Sequence, residues 1–315
     1  MPGIERILFF GTPEFAVPTL AALVAAGRTP VRVVTQPARP AGRGRHAQEP
    51  PVAVWAREHG IEVTSPERVR RTEFLAEAEA LAADVAIVVA FGQIFPRALL
   101  DLPRHGCINL HASLLPRWRG ASPIQAAVAA GDGRTGVTTM RMDEGLDTGP
   151  ILLEEPVEIG PMETADALAR RLAALGGPLV VRTLDLLERG AIEPRPQGAE
   201  GVTYAPRLTR DSGRVDWTLT AREIHDRGRA YTPWPGLSAA LRGEPVKIVA
   251  AEPLDEPGAE APGAILGLRG GRLLAVRCGG GSALGLAELQ RPGKRALRAA
   301  DFANGERLRP GESFT

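Results

Sequence analysis

The sequence predicts an α/β protein in which a doubly wound, mostly parallel sheet is followed by a small β-barrel domain. Three observations carry this expectation. Through the first two thirds of the chain, short β-branched apolar runs alternate with longer helical patterns, as in a parallel sheet covered on both faces. After about Leu208 the texture changes to short strand candidates separated by glycines, the pattern of a small barrel. The length of 315 residues exceeds the roughly 250–300 at which a single core stops growing, so two domains are expected.

The elements follow in order. "ILFFG" (7–11) reads as the first strand. Phe15 to Ala26 is helical, with Pro18 near its start and Gly27 just past its end, the usual asymmetry of helix boundaries. "VRVVTQ" (31–36), "VAIVVAF" (85–91), "CINLHA" (107–112) and "VTTMRM" (137–142) are the further strands. A helical stretch from Thr164 to Leu187, interrupted at Gly176–Pro178, closes the domain. "GAIEPRPQGAEG" is rich in Pro and Gly and has no apolar period, so 190–207 is expected to be a linker between domains at 1–189 and 208–315. The second domain opens with a short helix near Thr220 to Arg229. It continues through "VKIVAAEPL", "GAILGL", "RLLAVRC" and "ALGLAELQ" as strands.

Composition removes several function classes. A 44% apolar and 24% charged chain is ordinary globular material. No apolar run reaches transmembrane length, and Met1 leads into "ILFF" without a basic region and cleavage site, so the expectation is a cytoplasmic protein without a membrane partner. Cys107 and Cys278 are too few for a disulfide framework and stand in no cluster with His, so no metal is expected. The net charge of +1 argues against a surface that traps nucleic acid everywhere. Residues 208 to 315 hold 16 Lys or Arg against 13 Asp or Glu, a mild excess that permits contact with a polyanion there. No G-x-G-x-x-G follows the first strand, which disfavours a nicotinamide or flavin enzyme.

Doubly wound sheets bind ligands outside the carboxyl ends of their strands, so residues just past each strand matter most. Asn109 and His111 lie two apart in a strand and therefore share a face. A carboxamide donates to an oxygen that turns negative in a tetrahedral intermediate, and an imidazole exchanges protons near neutral pH. Asp147, in "GLDTG" after the next strand, can hold the imidazole and its charged form. The three suit acyl transfer. No Ser or Cys occupies a nucleophile elbow beside them, so direct transfer to an incoming amine is expected. Taken singly, a strand-end Asn is usually a turn former and a lone His a hydrogen-bonded core residue, the reading given to His46, His59, His105 and His225.

"NLHASLLPRWRGASPIQ" with "GVTTMRMDEGLDTG" resembles the folate-dependent formyltransferase family, in which N-x-H, S-L-L-P and D-x-G-x-D-T-G recur. "FFGTPEFAVPTL", "VVTQPARPAGRGR", "VVAFGQIFP" and "VDWTLTAREIHDRGRAYTPWPG" extend the likeness over nearly the whole chain, toward the branch acting on initiator methionyl-tRNA. The resemblance implies a Rossmann-like formyltransferase domain and an OB-like C-terminal domain. It also implies formyl transfer from 10-formyltetrahydrofolate to the α-amino group of methionine on initiator tRNA, by a monomer. In that setting Asn109 and His111 polarise the formyl oxygen, while Asp147 orients His111 and assists proton removal from the attacking ammonium.

By the same likeness Ser113, Leu114, Leu115 and Pro116 match the folate-contacting segment, and Phe91, Gly92, Gln93 and Asp143 line the pterin end. Arg39, Arg43 and Arg45 fall in a loop expected against the tRNA acceptor stem. Arg229, Lys247, Lys294 and Arg295, with Arg214, Arg227 and Arg298, are expected tRNA contacts of the second domain. Tyr231, Trp234 and Pro235 are expected to pack its core or its junction in preference to stacking on bases. The family commonly carries lysines after "AGRG", whereas "RHAQEPP" follows here. Two alternatives share part of this pattern: a sugar-nucleotide N-formyltransferase with the same folate donor, and a non-catalytic tRNA- or folate-binding module.

Overall fold

A computed structural model describes residues 3–41 and 46–315, which cluster into two units. The first comprises residues up to 123 with 134–158 and 168–206; the second comprises 124–133, 159–167 and 207–315.

In the first unit, β1 (Ile7–Gly11) leads through helix α1 (Val17–Ala25) to β2 (Arg32–Val34). Arg39–Ala41 (β3) then pairs antiparallel with His46–Gln48 (β4). Helix α2 (Pro51–Glu58), β5 (Val63–Thr64), α3 (Thr72–Ala80), β6 (Val85–Val89), α4 (Arg97–Leu100) and β7 (Cys107–His111) follow. Short β8 (Arg119–Gly120), β9 (Arg134–Arg141), β10 (Ile151–Glu158) and α6 (Ala165–Glu188) complete the run, while helix α5 (Pro123–Ala129), after its first residue, and the first three residues of α6 belong to the second unit. The sheet order is β10-β9-β7-β6-β1-β2-β5. Strands β7, β6, β1, β2 and β5 are parallel, and every residue of β1 and β6 is buried, as expected where helices cover both faces.

Two findings depart from the sequence expectation. Strand β9 is antiparallel to β7, with Asn109 opposite Met140 and His111 opposite Thr138. The chain therefore leaves β9 beside the start of β7, where Met142 N donates to Cys107 O at 2.7 Å, and not at the carboxyl edge. Helix α6 runs unbroken through Gly176–Pro178. A Cβ on Gly176 would stand 2.4 Å from Leu110 Cδ2, and one on Gly177 2.7 Å from Ala22 Cβ. The glycines let α6 lie close on β7 and α1, and that packing outweighs the helix-breaking signal. Since Leu110 faces α6, its neighbours Asn109 and His111 face the other side of the sheet.

In the second unit, α7 (Ala221–Ala230) begins with a capping box between Thr220 and Glu223. Strands β12 (Leu237–Leu241), β13 (Glu244–Leu254), β14 (Ile265–Arg269), β15 (Leu273–Arg277), β16 (Ala283–Gln290) and β17 (Leu297–Arg298) follow, preceded by a short β11 (Tyr204–Ala205) in the first unit and ended by α8 (Ala299–Glu306). The antiparallel order is β12-β13-β16-β15-β14. The final residues close it: Phe314 bridges Leu241 on one edge strand, and Ser313 bridges Ala264 beside the other. Trp217, Leu284, Leu286, Phe302 and Phe314 fill the interior.

His225 on α7 is buried beside Asp226. Burial holds its pKa below the ordinary 6.5, helped by Arg229 and Arg222 and opposed by the Asp226 carboxylate. Below 6.5 the unfolded chain therefore binds more protons than the folded one, and stability falls as pH drops through that window. His225→Gln is expected to flatten this dependence in urea unfolding of the whole chain at successive pH values. An unchanged slope would contradict the assignment.

Among the described residues no helix is long and apolar enough to cross a membrane.

Candidate active site

The parallel strands bring three loops to one edge of the sheet. After β1, Thr12 Oγ1 donates to Phe91 O at 3.3 Å; after β2, Gln36 Nε2 donates to the same carbonyl at 3.1 Å. Phe91 follows β6, so its carbonyl is the knot joining all three. Its ring points inward, 5.3 Å from Phe10 and 5.9 Å from Phe95. The ring expected to line a pterin pocket is thus core, and at this position only backbone is left for a ligand. Gly92 has φ +83, a conformation glycine adopts without strain. Gln93 Oε1 accepts from Val69 N at 2.9 Å, and its Nε2 reaches the carbonyls of Pro66 and Glu67 at 3.3 Å.

His111 ends β7 with 5% exposure. Its Nε2 lies 2.9 Å from Trp118 O. A carbonyl only accepts, so that nitrogen carries a proton and the neutral ring presents a bare Nδ1. Asp147 Oδ2 stands 3.7 Å from Nδ1, beyond a hydrogen bond but opposite any proton placed there. The ring is therefore oriented by the Trp118 carbonyl, and the expectation that Asp147 holds it is corrected in that respect. Asp147 is itself held: Gly120 N donates to its Oδ2 at 2.8 Å. Gly120 has φ +119, and a Cβ there would stand 2.6 Å from Ala205 O, so only glycine brings this amide to the carboxylate. Asn109, on the same face as His111 and half-buried, makes no hydrogen bond through its side chain among the described residues. A carboxamide without a protein partner beside a histidine–aspartate pair is what a site for a carbonyl-bearing ligand requires.

Ser113 is fully buried; its Oγ donates to Arg117 O at 2.5 Å, and its carbonyl accepts from Thr138 Oγ1 at 2.7 Å. Leu115 packs with Met140 and Ile151, while Leu114 and Pro116 are half-buried. Asp143 Oδ1 accepts from Gly145 N and Thr148 Oγ1, shaping the loop that carries Asp147. Burial, with Asp101 nearby, pushes the Cys107 thiol up to about 12, so it is no nucleophile. Among the described residues no group of three or more His, Cys, Asp or Glu could hold a metal ion.

The basic candidates divide. Arg43 and Arg45 lie outside the described residues. Arg39 is exposed, and its Nη2 donates to Gln36 Oε1 at 3.2 Å. Lys247, Lys294 and Arg295 are exposed on the second unit. Arg229 is not available: at 7% exposure it donates to Asp226 Oδ1 at 2.7 and 3.1 Å and to the carbonyls of Glu163 and Gly160. Its place on the buried face of α7 makes it a structural ion-pair member instead of a surface contact. Of the residues expected in the core or at its junction, Trp234 is 53% exposed, whereas Tyr231 packs on the core.

Sequence reasoning missed Gly120, Arg119, Thr138, Gln197 and the Trp118 carbonyl. A backbone group leaves no trace in residue chemistry, and Gln197 sits in a stretch whose composition signals only a loop.

The family profile described as formyl transferase matches residues 5–184, and that described as formyl transferase, C-terminal domain, matches 207–307. The methionyl-tRNA formyltransferase of Gluconobacter oxydans is 51% identical over 308 residues, covering 97% of this chain and 98% of that protein. The solved N-formyltransferase from Helicobacter canadensis, complexed with folinic acid and dTDP-3-aminofucose, superposes with a TM-score of 0.66 at 17% identity, covering 90% of this chain and 98% of that one. HypX from Aquifex aeolicus, in complex with tetrahydrofolic acid, does so with a TM-score of 0.61 at 18% identity, covering 96% of this chain and 47% of that one.

Proposed function

The chain belongs to the formyltransferase family, and from that premise we propose that it transfers a formyl group from 10-formyltetrahydrofolate to the α-amino group of methionine on initiator methionyl-tRNA, as a cytoplasmic monomer. The observation that carries the reading is the approach of Asp147 to Nδ1 of His111, on the strand face shared with Asn109. Half identity over nearly the full length to a methionyl-tRNA formyltransferase supports this acceptor. Likeness below 20% identity to the N-formyltransferase complexed with dTDP-3-aminofucose supports only the shared fold.

When bound, the folate supplies the activated formyl carbon, and Gly92, with the backbone of 91–93 and 113–116, would hold it. The chain's own groups do the rest. Asn109 donates an N–H to the formyl oxygen as it becomes negative. The acceptor arrives as an ammonium and must lose a proton before it can attack; Asp147 accepts it and shares it with Nδ1 of His111. The new bond from the amine to the formyl carbon would be matched by breaking the bond from that carbon to the folate nitrogen, and of the two protons the amine gives up, one would pass through Asp147 and His111 to the departing nitrogen and the other to water. Residues 1–189 are assigned the chemistry and residues 208–315 the tRNA, with Lys247, Lys294 and Arg295 as exposed contacts.

The test is formylation of methionyl-tRNA by the purified chain with the folate donor, against an amino-sugar nucleotide as competing acceptor. Preference for the sugar would overturn the acceptor. Arg43→Ala is expected to raise the KM for tRNA while leaving folate binding unchanged; a folate defect would contradict the division of roles.

A further inference from the structure

We propose that Gln197 and Arg119 form a polar clamp that positions Asp147 for proton transfer, making the stretch 195–205 part of the catalytic centre and not a spacer. The inference rests on the formyl-transfer reading above.

The need for a clamp follows from topology. Strand β9 delivers the chain to the wrong end of β7, beside Cys107, so the loop bearing Asp147 must fold back along the strands by about four residue spacings, roughly 13 Å, to meet His111. Asp147 also sits at φ +53, an uncommon conformation for a residue with a side chain, though one that Asp tolerates better than most. Gln197 braces it there. Its Nε2 donates to Asp147 O at 2.8 Å and to Gly149 O at 2.7 Å, so both amide hydrogens hold this loop.

Arg119 fixes which way round the amide stands. Its Nε and Nη2 donate to Gln197 Oε1 at 3.0 and 2.7 Å. A guanidinium has no acceptor, so a flipped amide would set donor against donor there and carbonyl against carbonyl at the loop. Arg119 is 8% exposed, and among the described residues no carboxylate lies within ion-pair distance of it. A buried cation bonded in this way gives Gln197 charge-assisted rigidity.

The same stretch grips the other half of the pair. Arg195 and Ile151 exchange two backbone hydrogen bonds at 2.8 Å, at the start of β10. Thr203 Oγ1 accepts from Trp118 N at 2.8 Å, and Thr203 O accepts from Arg119 N at 2.9 Å. Trp118 carries the carbonyl that orients His111. One strap therefore sets both Asp147 and the ring it faces, and Gln197 acts as a positioning residue through both.

Gln197→Glu is the decisive variant, because the carboxylate keeps an ion pair to Arg119 while losing both donors to the loop. It is expected to lower kcat about 10–100-fold, the scale of a misplaced catalytic group, with the KM for each substrate changed less than about threefold and the melting temperature not lowered. The Gly120 amide, measured by hydrogen exchange without substrates, is expected to lose protection. Arg119→Lys, which keeps a donor, should lose less activity than Arg119→Met. A Gln197→Glu enzyme turning over at the wild-type rate, unchanged Gly120 protection, or equal losses in the two Arg119 variants would each overturn the clamp. If the wild-type protein formylates no methionyl-tRNA, the functional reading fails instead, and Gly120 exchange still decides the clamp.

Discussion

Asp147→Asn lowers kcat by at least ~10²-fold while the protein stays folded; this is the result expected from loss of a proton acceptor. The substitution is nearly isosteric, and its amide oxygen can still accept from the Gly120 amide that meets Asp147 Oδ2 at 2.8 Å. The loop then keeps its place and only the proton chemistry is lost. His111→Ala removes the Nδ1 that faces the carboxylate at 3.7 Å and is expected to cost a similar factor. Single-turnover formylation with saturating folate isolates the step, and near-normal rates in either variant would remove the mechanism. Because the pair works as a unit, the double variant should lose little more than either single one.

Arg229→Met is expected to destabilise the second unit by about 3–5 kcal/mol, the scale for breaking a buried ion pair by removing one partner. Asp226 would be left at 4% exposure with the exposed Arg222 and the buried ring of His225 as its neighbours among the described residues. Met fills the space of the aliphatic stem, so the loss is electrostatic. Urea unfolding measures it, and adding Asp226→Asn should restore part of the stability. Lys247→Ala provides the contrast: the side chain is exposed, so tRNA affinity should fall while stability moves by less than about 0.5 kcal/mol. An Arg229→Met protein of normal stability with a defect in tRNA binding alone would reverse the two assignments.

The difference between these residues was not visible in the sequence. Arg229 and Lys247 are equally basic, but Arg229 lies on the α7 face that also buries Ile224 and His225, whereas Lys247 alternates outward between buried Val246 and Ile248 on β13. The strand alternation is plain once a register is known. The helix position required knowing which arc of α7 is covered. The same limit explains Phe91, whose backbone belongs to the site and whose ring belongs to the core.

The sequence alone determined the class of fold and the kind of chemistry, because both are local. A run of β-branched residues specifies a buried strand, and a spacing of two puts Asn109 and His111 on one face. The tertiary structure decided what those groups face. The antiparallel insertion of β9, the continuity of α6 through Pro178 and the hold of Gln197 on Asp147, fifty residues away, all depend on contacts between segments remote in the chain. Such contacts are selected by the packing and hydrogen-bond satisfaction of the whole unit, where a buried donor or acceptor must find a partner wherever the fold supplies one, and no local pattern announces which one that will be.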